Sequence, residues 1–420
     1  MKSKKNIYSL TEFANLVSVS KETLRRWDKS GKLIAKRNKM NGYRYYTDED
    51  LALCDNPNLY FSEFKHKTNY VVPFCYYKSI ELFAGAGGLA LGFEKAGLHH
   101  VLLNEIDKQA CKTLRKNRPN WNVTEADIHT LDFTPYKNKI DVLSGGFPCQ
   151  SFSYAGKRLG FNDARGTLFF EYARAIKETN PKICIGENVR GLVSHDKGRT
   201  LKGMINILEE LGYRVLPPKI LKAIYYNVPQ KRERLVLVAI RNDIKTDFHY
   251  PESNDTIYTL KDALKGGTLY ENDVPESEGQ QYPKRKKEIL DMVPPGGCWR
   301  NLPPLVQKEY MMKSYYLGGG RTGMARRIAW DEPSLTLTCS PAQKQTERCH
   351  PEETRPFTVR EYARIQTFPD SWEFMGSMSQ QYKQIGNAVP VNLAKELGYS
   401  VIDFLNRYTE EQTAKTAFVS

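Results

Sequence analysis

Cys149 lies in the run Gly145-Gly146-Phe147-Pro148-Cys149-Gln150, directly after the apolar stretch Ile140-Asp141-Val142-Leu143. A short apolar run closed by glycines reads as a strand ending in a loop, and Pro148 stiffens the approach to the thiol. A cysteine so placed can be a buried structural thiol, but two further segments point to chemistry. Gly186-Glu187-Asn188-Val189 follows the apolar Ile183-Cys184-Ile185. Gln230-Lys231-Arg232-Glu233-Arg234 immediately precedes Leu235-Val236-Leu237-Val238-Ala239-Ile240. If these apolar runs are strands of one sheet, a nucleophilic thiol, a proton-donating carboxyl and an arginine pair share one sheet edge, a set suited to covalent catalysis. Alternate strand residues face one way, so Arg232 and Arg234 are expected to point together.

A second group of residues suits a nucleotide-like ligand. Phe83-Ala84-Gly85-Ala86-Gly87-Gly88-Leu89-Ala90 falls at a strand-to-helix turn, where glycines let backbone approach a ligand and a helix N-terminus offers free N–H groups. Glu105, 20 residues after Gly85, closes the next strand and is placed to accept hydrogen bonds from two ribose hydroxyls. Asp127 ends the third strand, as an acceptor for an adenine amino group or simply as a helix cap. Up to residue 130 a nicotinamide dehydrogenase stays open, because Gly85-x-Gly87-x-x-Ala90 with Glu105 also satisfies the dinucleotide fingerprint.

Positioning these groups takes an alternating chain, and residues 78–245 have that pattern. Strands are expected at 80–83, 101–103, 140–143, 183–185 and 235–240, with helices from the glycine turn through Lys95, near 108–116 and over 201–211. A last helix is expected at about 391–406. The pattern predicts a doubly wound, Rossmann-like α/β sheet. Residues 245–350 break the alternation with glycine, proline and mixed charge, and read as a large irregular second domain.

The formal net charge of the 420-residue chain is +14, which favours a polyanionic partner. Much of the excess is local: residues 1–47 hold twelve lysines and arginines against three acids. There, Leu10, Phe13, Ala14, Leu16 and Val17 recur at helical spacing, Ser18-Val19-Ser20 makes a turn, and Thr23, Leu24 and Trp27 mark a second short helix that Gly31 ends. Gly42-Tyr43-Arg44-Tyr45-Tyr46 follows as a basic ribbon, giving a winged helix-turn-helix plan. Residues 54–74 show no clean period and read as a linker. Eight scattered cysteines without a CxxC pair suit free thiols in a reducing compartment. No apolar run approaches the ~18–20 residues of a membrane span, so a cytoplasmic, nucleoid-associated protein is expected. The spacing of Cys339, Cys349 and His350 fits no zinc pattern, and no metal is expected.

Taken together and in order, these segments resemble the cytosine-C5 DNA methyltransferases of bacterial restriction-modification systems. The resemblance rests on Phe83-x-Gly85-x-Gly87-Gly88, Pro148-Cys149-Gln150, Glu187-Asn188-Val189, Gln230-x-Arg232-x-Arg234, Arg355-Pro356-Phe357-Thr358-Val359-Arg360-Glu361-x-Ala363-Arg364-Ile365-Gln366-x-Phe368-Pro369 and Gln384-Ile385-Gly386-Asn387-Ala388-Val389-Pro390. It implies S-adenosylmethionine as cofactor. Glu105 would hold its ribose and Asp127 its adenine amino group. Phe83, Gly85, Gly87, Gly88, Ile106, Ile128 and Pro148 would line the cleft, Leu168 would close over it, and Asn387 and Ala388 would complete the far side. Many family members carry an aromatic residue where this chain has Ile106. Cys149 would attack carbon 6 of a flipped cytosine, Glu187 would hold ring nitrogen 3, Arg234 the exocyclic oxygen, and Arg232 a nearby phosphate. Gln150, Lys157 and Arg158 belong to a loop that would close on DNA. The Thr23-Leu24-Arg25-Arg26-Trp27 helix and its ribbon resemble the head of MerR-type regulators, which makes Arg25, Arg26 and Arg44 DNA-contact candidates.

The resemblance also implies a division of the chain: head 1–53, linker 54–76, catalytic domain 77–245, target recognition domain 246–354, a return to the catalytic domain over 355–410, and a tail 411–420. Within the recognition domain Arg321, Arg326, Arg327, Lys344 and Arg348 are candidates for base or phosphate contacts. Double-stranded DNA is the expected partner, with the head expected on the protein's own promoter and a cognate endonuclease acting on the same site. Two rival classes are an RNA cytosine-5 methyltransferase, against which the ~100-residue insert argues, and a DNA-binding regulator without catalysis, against which the intact Cys149, Glu187 and Arg234 argue.

Overall fold

The computed structural model describes residues 7–16, 21–29, 33–38, 43–47, 50, 71–148, 167–317 and 323–419. The chain divides into two compact units, residues 1–68 and 69–420.

In the first unit β1 (Ile7–Ser9) leads into α1 (Leu10–Leu16), and α2 (Lys21–Lys29) is followed by β2 (Lys36–Arg37) and β3 (Arg44–Thr47). Ser9 and Glu12 cap α1 reciprocally: the Glu12 carboxylate accepts from Ser9 N at 2.8 Å, and Ser9 Oγ from Glu12 N at 3.3 Å. Phe13, Leu24, Leu33 and Tyr46 form the small core, with Phe13 and Tyr46 stacked at 4.2 Å. The three strands pair in the order β1-β3-β2, so the basic ribbon is one member of a sheet whose other two strands the sequence did not signal. Asp28 ties α2 to that sheet through Arg44 (2.7 Å) and Arg37 (3.2 Å).

The second unit opens with β4 (Lys78–Leu82), α3 (Gly88–Ala96), β5 (His99–Glu105), α4 (Lys108–Asn117), β6 (Val123–Glu125) and β7 (Val142–Gly145). Next come α5 (Leu168–Thr179), β8 (Ile183–Val189), α6 (Arg199–Glu210), β9 (Tyr213–Val215), β10 (Lys219–Lys222), β11 (Gln230–Lys231) and β12 (Glu233–Arg241). One eight-stranded sheet runs β10-β12-β8-β7-β4-β5-β6, with β9 also paired to β12. Pairs among β4 to β8 are parallel, whereas β12 is antiparallel to its neighbours. The parallel strands β5, β7 and β8 carry short apolar runs, Val101–Leu103, Val142–Leu143 and Ile183–Ile185, because helices cover both faces of the sheet. Strand order reverses at β4, between β7 and β5, and the carboxyl edge beside that point is where an open α/β sheet forms its crevice.

The remaining elements are α7 (Leu260–Leu264), α8 (Lys284–Asp291), α9 (Pro304–Met311), β13 (Ser334–Leu335), α10 (Val359–Ile365), α11 (Met378–Asn387) and α12 (Val391–Val419). Residues 245–350 are mostly irregular but carry three helices too short to show a period, and α8 and α9 pack on a core with Leu290, Leu302, Tyr310 and Met311. The last helix does not stop near 406. It continues to Val419, through the segment expected to be a tail. Its inner face, including Leu393, Leu397, Val401 and Leu405, joins the core formed with Phe93 of α3. No helix among the described residues is long and apolar enough to cross a membrane.

Candidate active site

The crevice at the switch point is a cavity of about 840 Å³. One wall is the turn after β4. Phe83 sits there at φ 58°, a left-handed conformation that a bulky residue adopts only when its surroundings impose it, and such residues cluster at ligand sites. Gly87 has φ 82°, and Gly88 opens α3 so close to the opposite wall that a Cβ would stand 2.2 Å from the Val389 carbonyl oxygen. The turn therefore takes glycine at one position for its dihedral and at the next for space.

Glu105, at the end of β5, is held in place by three backbone amides. Its carboxylate accepts from Gly85 N at 2.7 Å, Ile106 N at 2.9 Å and Asp107 N at 2.8 Å. Asp127 accepts from His129 N at 3.0 Å and faces the His129 ring at 2.7 Å, and the His129 side chain and amide hold its carboxyl below the usual range. It thus caps a short 3-10 turn (Ile128–Thr130), as the cap reading has it, and also lines the cavity. Phe83, Gly85, Gly88, Glu105, Ile106, Asp127, Ile128, Pro148, Leu168, Asn387 and Ala388 all border the cavity. Gly87 does not: it turns the chain on the far side, where a Cβ would meet the Leu114 side chain at 2.6 Å. Ile106 is 67% exposed at the rim, an aliphatic face where an aromatic one was the family expectation.

The other wall carries the acid and the arginine. Glu187 is on β8 and Arg234 on β12, whose antiparallel register sets Arg234 opposite Val189 and Glu187 opposite Val236. Arg234 Nε lies 2.5 Å from Glu187 Oε1, with side chains only 9% and 13% exposed. Burial raises the Glu187 carboxyl above the usual carboxylate range, outweighing the guanidinium groups of Arg234 and Arg232, which act the other way. The loop after β7 is pressed against this acid: a Cβ at Gly146 would come within 2.9 Å of Glu187 Oε2. Asn188 Nδ2 donates to the Phe147 carbonyl at 2.8 Å, and Phe147 is buried against Phe169 and Tyr172 at 5.0 and 5.2 Å. Pro148 is thereby anchored at the cavity edge. Cys149, Gln150, Lys157, Arg158 and Arg321 lie outside the described residues, as does the Arg26 side chain.

Several expectations for arginines are corrected. Arg232 falls at the break between β11 and β12, so the two arginines do not share one strand face. Its guanidinium is 2% exposed and donates to the carbonyls of Leu337 at 3.0 Å and Gly386 at 2.7 Å, which leaves it no phosphate to hold. Arg327, 4% exposed, is consumed by the carbonyls of Val293, Leu290 and His350 and by Thr354 Oγ1. Arg348 is buried on the carbonyls of Glu347 and Thr336, and Arg326 is paired with Glu332 at 2.7 Å. In a segment with little regular structure, buried carbonyls lack ladder partners, and arginine supplies the donors. These contacts brace the irregular segment 245–350. Lys344 is half-buried over the Tyr310 ring at 4.9 Å. In the head, Arg44 is committed to Asp28, while Arg25 is exposed on α2.

Two polar groups at the cavity went unread in the sequence. Glu81, on β4 and 1% exposed, lines it with Oε2 unpartnered among the described residues, and burial pushes its carboxyl well up. A carboxyl within an apolar strand two residues before the glycine turn was the available cue. Lys383 of α11 reaches Asp107, the N-cap of α4, at 3.2 Å, joining the two walls; only the fold brings that pair together. Cys339 Sγ donates to Asn387 Oδ1 at 3.0 Å, away from Cys349 and His350, and no metal-binding cluster is present among the described residues.

The cavity thus offers a carboxylate fixed by backbone amides, a buried carboxyl with one oxygen unpartnered among the described residues, and a mostly apolar lining: acceptors and surface that fit a nucleoside-like ligand. Against known proteins, residues 77–403 match the C-5 cytosine-specific DNA methylase family and residues 8–53 the MerR HTH family of regulatory proteins. The chain is 64% identical over 406 residues to the type II methyltransferase M.Eco47II of Escherichia coli, covering 96% of this chain and 97% of that one. It is 57% identical to M.PspPI of a Psychrobacter strain, over 97% and 98% of the two chains. Among solved structures, the Dnmt2 methyltransferase of S. pombe superposes with a TM-score of 0.56 at 17% identity over 79% of this chain and all (100%) of that one, a likeness that speaks to the fold alone.

Proposed function

Because the chain belongs to the C-5 cytosine-specific DNA methylase family, we propose that it transfers a methyl group from S-adenosylmethionine to carbon 5 of a flipped cytosine in a short duplex site. It is a DNA (cytosine-5-)-methyltransferase of the restriction-modification type. The observation that carries the finer reading is the buried Glu187–Arg234 pair facing the same cavity as the amide-fixed Glu105.

Glu105 would hold the cofactor ribose and Asp127 the adenine amino group. When bound, S-adenosylmethionine supplies the methyl group on an electrophilic sulfonium. Carbon 5 of cytosine lies inside the duplex and is weakly nucleophilic, so the base leaves the stack at a cost of a few kcal/mol. The Cys149 thiolate then adds to carbon 6, and the displaced electron pair moves toward ring nitrogen 3. Glu187, whose carboxyl burial shifts toward the protonated form, donates a hydrogen bond to nitrogen 3 and offsets that charge. Arg234 holds both the acid and the exocyclic oxygen of the ring. Carbon 5 becomes enamine-like and accepts the methyl group. Loss of its proton restores the ring and expels Cys149 as thiolate.

In the cell the modification would protect DNA from an endonuclease acting on the same site. Residues 1–53 would bind an operator at the protein's own promoter as a second role, supported by the match over residues 8–53 and by the charge of residues 1–47. The test is methyl transfer to unmethylated plasmid DNA, mapped by bisulfite sequencing, with a chain lacking residues 1–70 in parallel. Methylation at one short motif by both chains, with promoter binding only by the full chain, is the expected result. Absence of 5-methylcytosine with the full chain overturns the DNA reading, and unchanged promoter binding by the shortened chain overturns the second role.

A further inference from the structure

The recognition segment presents cations to solvent elsewhere than at its buried arginines. Trp299 and Tyr315 meet edge to face at 6.2 Å, and Tyr315 meets Tyr316 at 5.3 Å. Arg300 lies 5.6 Å from the Trp299 ring and Lys308 lies 6.0 Å from Tyr315. Arg300, Lys308 and Lys313 are exposed and form no ion pair among the described residues. The one acid between 299 and 317, Glu309, is neutralised by Arg285 at 2.8 and 2.6 Å. At the end of this ladder Tyr316 is 76% and Leu317 59% exposed. Exposed aromatic and aliphatic side chains cost free energy in water unless a partner covers them, and their neighbours here are unpaired charges of one sign. A partner must therefore be anionic and also offer apolar surface. Duplex DNA does both, with phosphates outside and sugar and base edges in its grooves.

We propose that this cation–aromatic ladder is a duplex-DNA contact surface of the enzyme, with Lys308 and Lys313 on backbone phosphates and Tyr316 in a groove. The proposal rests on the reading of the chain as a DNA methyltransferase. It moves the DNA contacts of the recognition segment from the arginines at 326, 327 and 348 to residues 299–317. The occupant is the enzyme's own substrate; a second copy of the chain is the competing one.

The test compares the full-length enzyme with Lys308→Gln/Lys313→Gln, the conservative Lys308→Arg/Lys313→Arg, and Tyr316→Ala. Anisotropy gives the affinity for a labelled duplex carrying the methylated motif over a range of salt. Cofactor affinity by calorimetry reports that each variant is folded. The double glutamine variant is expected to bind DNA about tenfold more weakly and to lose about 1.8 from the log–log salt slope, at about 0.9 per phosphate contact. The double arginine variant should restore both. Tyr316→Ala should weaken binding with the slope unchanged. Unaltered affinity and slope in the double glutamine variant overturn the proposal while wild-type binding leaves the DNA reading standing. Wild type that binds no duplex overturns both. A change in the sedimentation of the DNA-free variants assigns the ladder to self-association instead.

Discussion

Replacing Glu187 with glutamine separates the chemistry of the acid from its part in the fold. Removing the acid outright costs about 3–5 kcal/mol, because the buried Arg234 charge is left without a partner. Glutamine keeps the volume of the side chain and a carbonyl oxygen for Arg234 Nε, which now lies 2.5 Å from Oε1. The stability loss should therefore fall to about 1–2 kcal/mol, near the value of one charged hydrogen bond. The rate should suffer more. A group aimed at developing charge in a water-poor site contributes about 100- to 1000-fold, or roughly 3–4 kcal/mol. Since the amide can still donate a weaker hydrogen bond, a loss of about 100-fold is expected. The pH dependence has a definite sign. The protonated acid is the active form and burial raises its pKa, so wild-type turnover should decline as pH rises through that raised value. Glu187→Gln should lack this decline. The assay is single-turnover methyl transfer at saturating DNA and cofactor from pH 6 to 9, beside thermal melts and cofactor affinity. A variant within threefold of wild type that keeps the alkaline decline would refute the role given to Glu187.

Two further outcomes follow from the packing. Gly88→Ala places a methyl group 2.2 Å from the Val389 carbonyl oxygen, so the wall at Asn387 and Ala388 must move; a loss of about 1–3 kcal/mol is expected, read as a lower Tm, together with weaker cofactor binding by calorimetry. His100 is buried between Ser79 Oγ (2.9 Å) and the Ala90 carbonyl (2.8 Å), and burial lowers its pKa from 6.5 to about 4. The unfolded chain takes up this proton first, so the contribution of His100 is complete above pH 6.5 and is lost as pH falls toward 4, in total about 3 kcal/mol. Urea denaturation at pH 7 and 4.5 should show that loss, and His100→Gln should flatten it.

The strands that carry the candidate site were legible because each is a short apolar run bordered by glycine or by a candidate site residue: Leu143 before Gly145, Ile185 before Glu187, Arg234 before Leu235. Runs of that kind record burial on both sheet faces, which sequence pattern reports directly. The short strands β9 and β10 were missed because three or four mixed residues carry no period. Arg232 and the arginines of the irregular segment 245–350 were misread for a related reason. A guanidinium looks the same in sequence whether it meets phosphate or a buried carbonyl, and Arg232, Arg327 and Arg348 have their carbonyl partners on segments distant in the chain or on irregular turns. Asp127 was legible as a cap because its carboxylate accepts from the backbone two residues on.

The central claim is covalent attack by Cys149 on carbon 6, and trapping that adduct tests it most directly. A duplex carrying the mapped motif with 5-fluorocytosine at the target is incubated with enzyme and S-adenosylmethionine. Fluorine cannot depart as a cation and leave its bonding electrons on carbon 5, as hydrogen does, so the thiolate cannot be expelled after methyl transfer. The account predicts a one-to-one enzyme–DNA species stable to denaturation, mapped by mass spectrometry to the peptide containing Cys149 and absent from Cys149→Ala. Methylation of ordinary DNA by Cys149→Ala, or an adduct on any other residue, would contradict it.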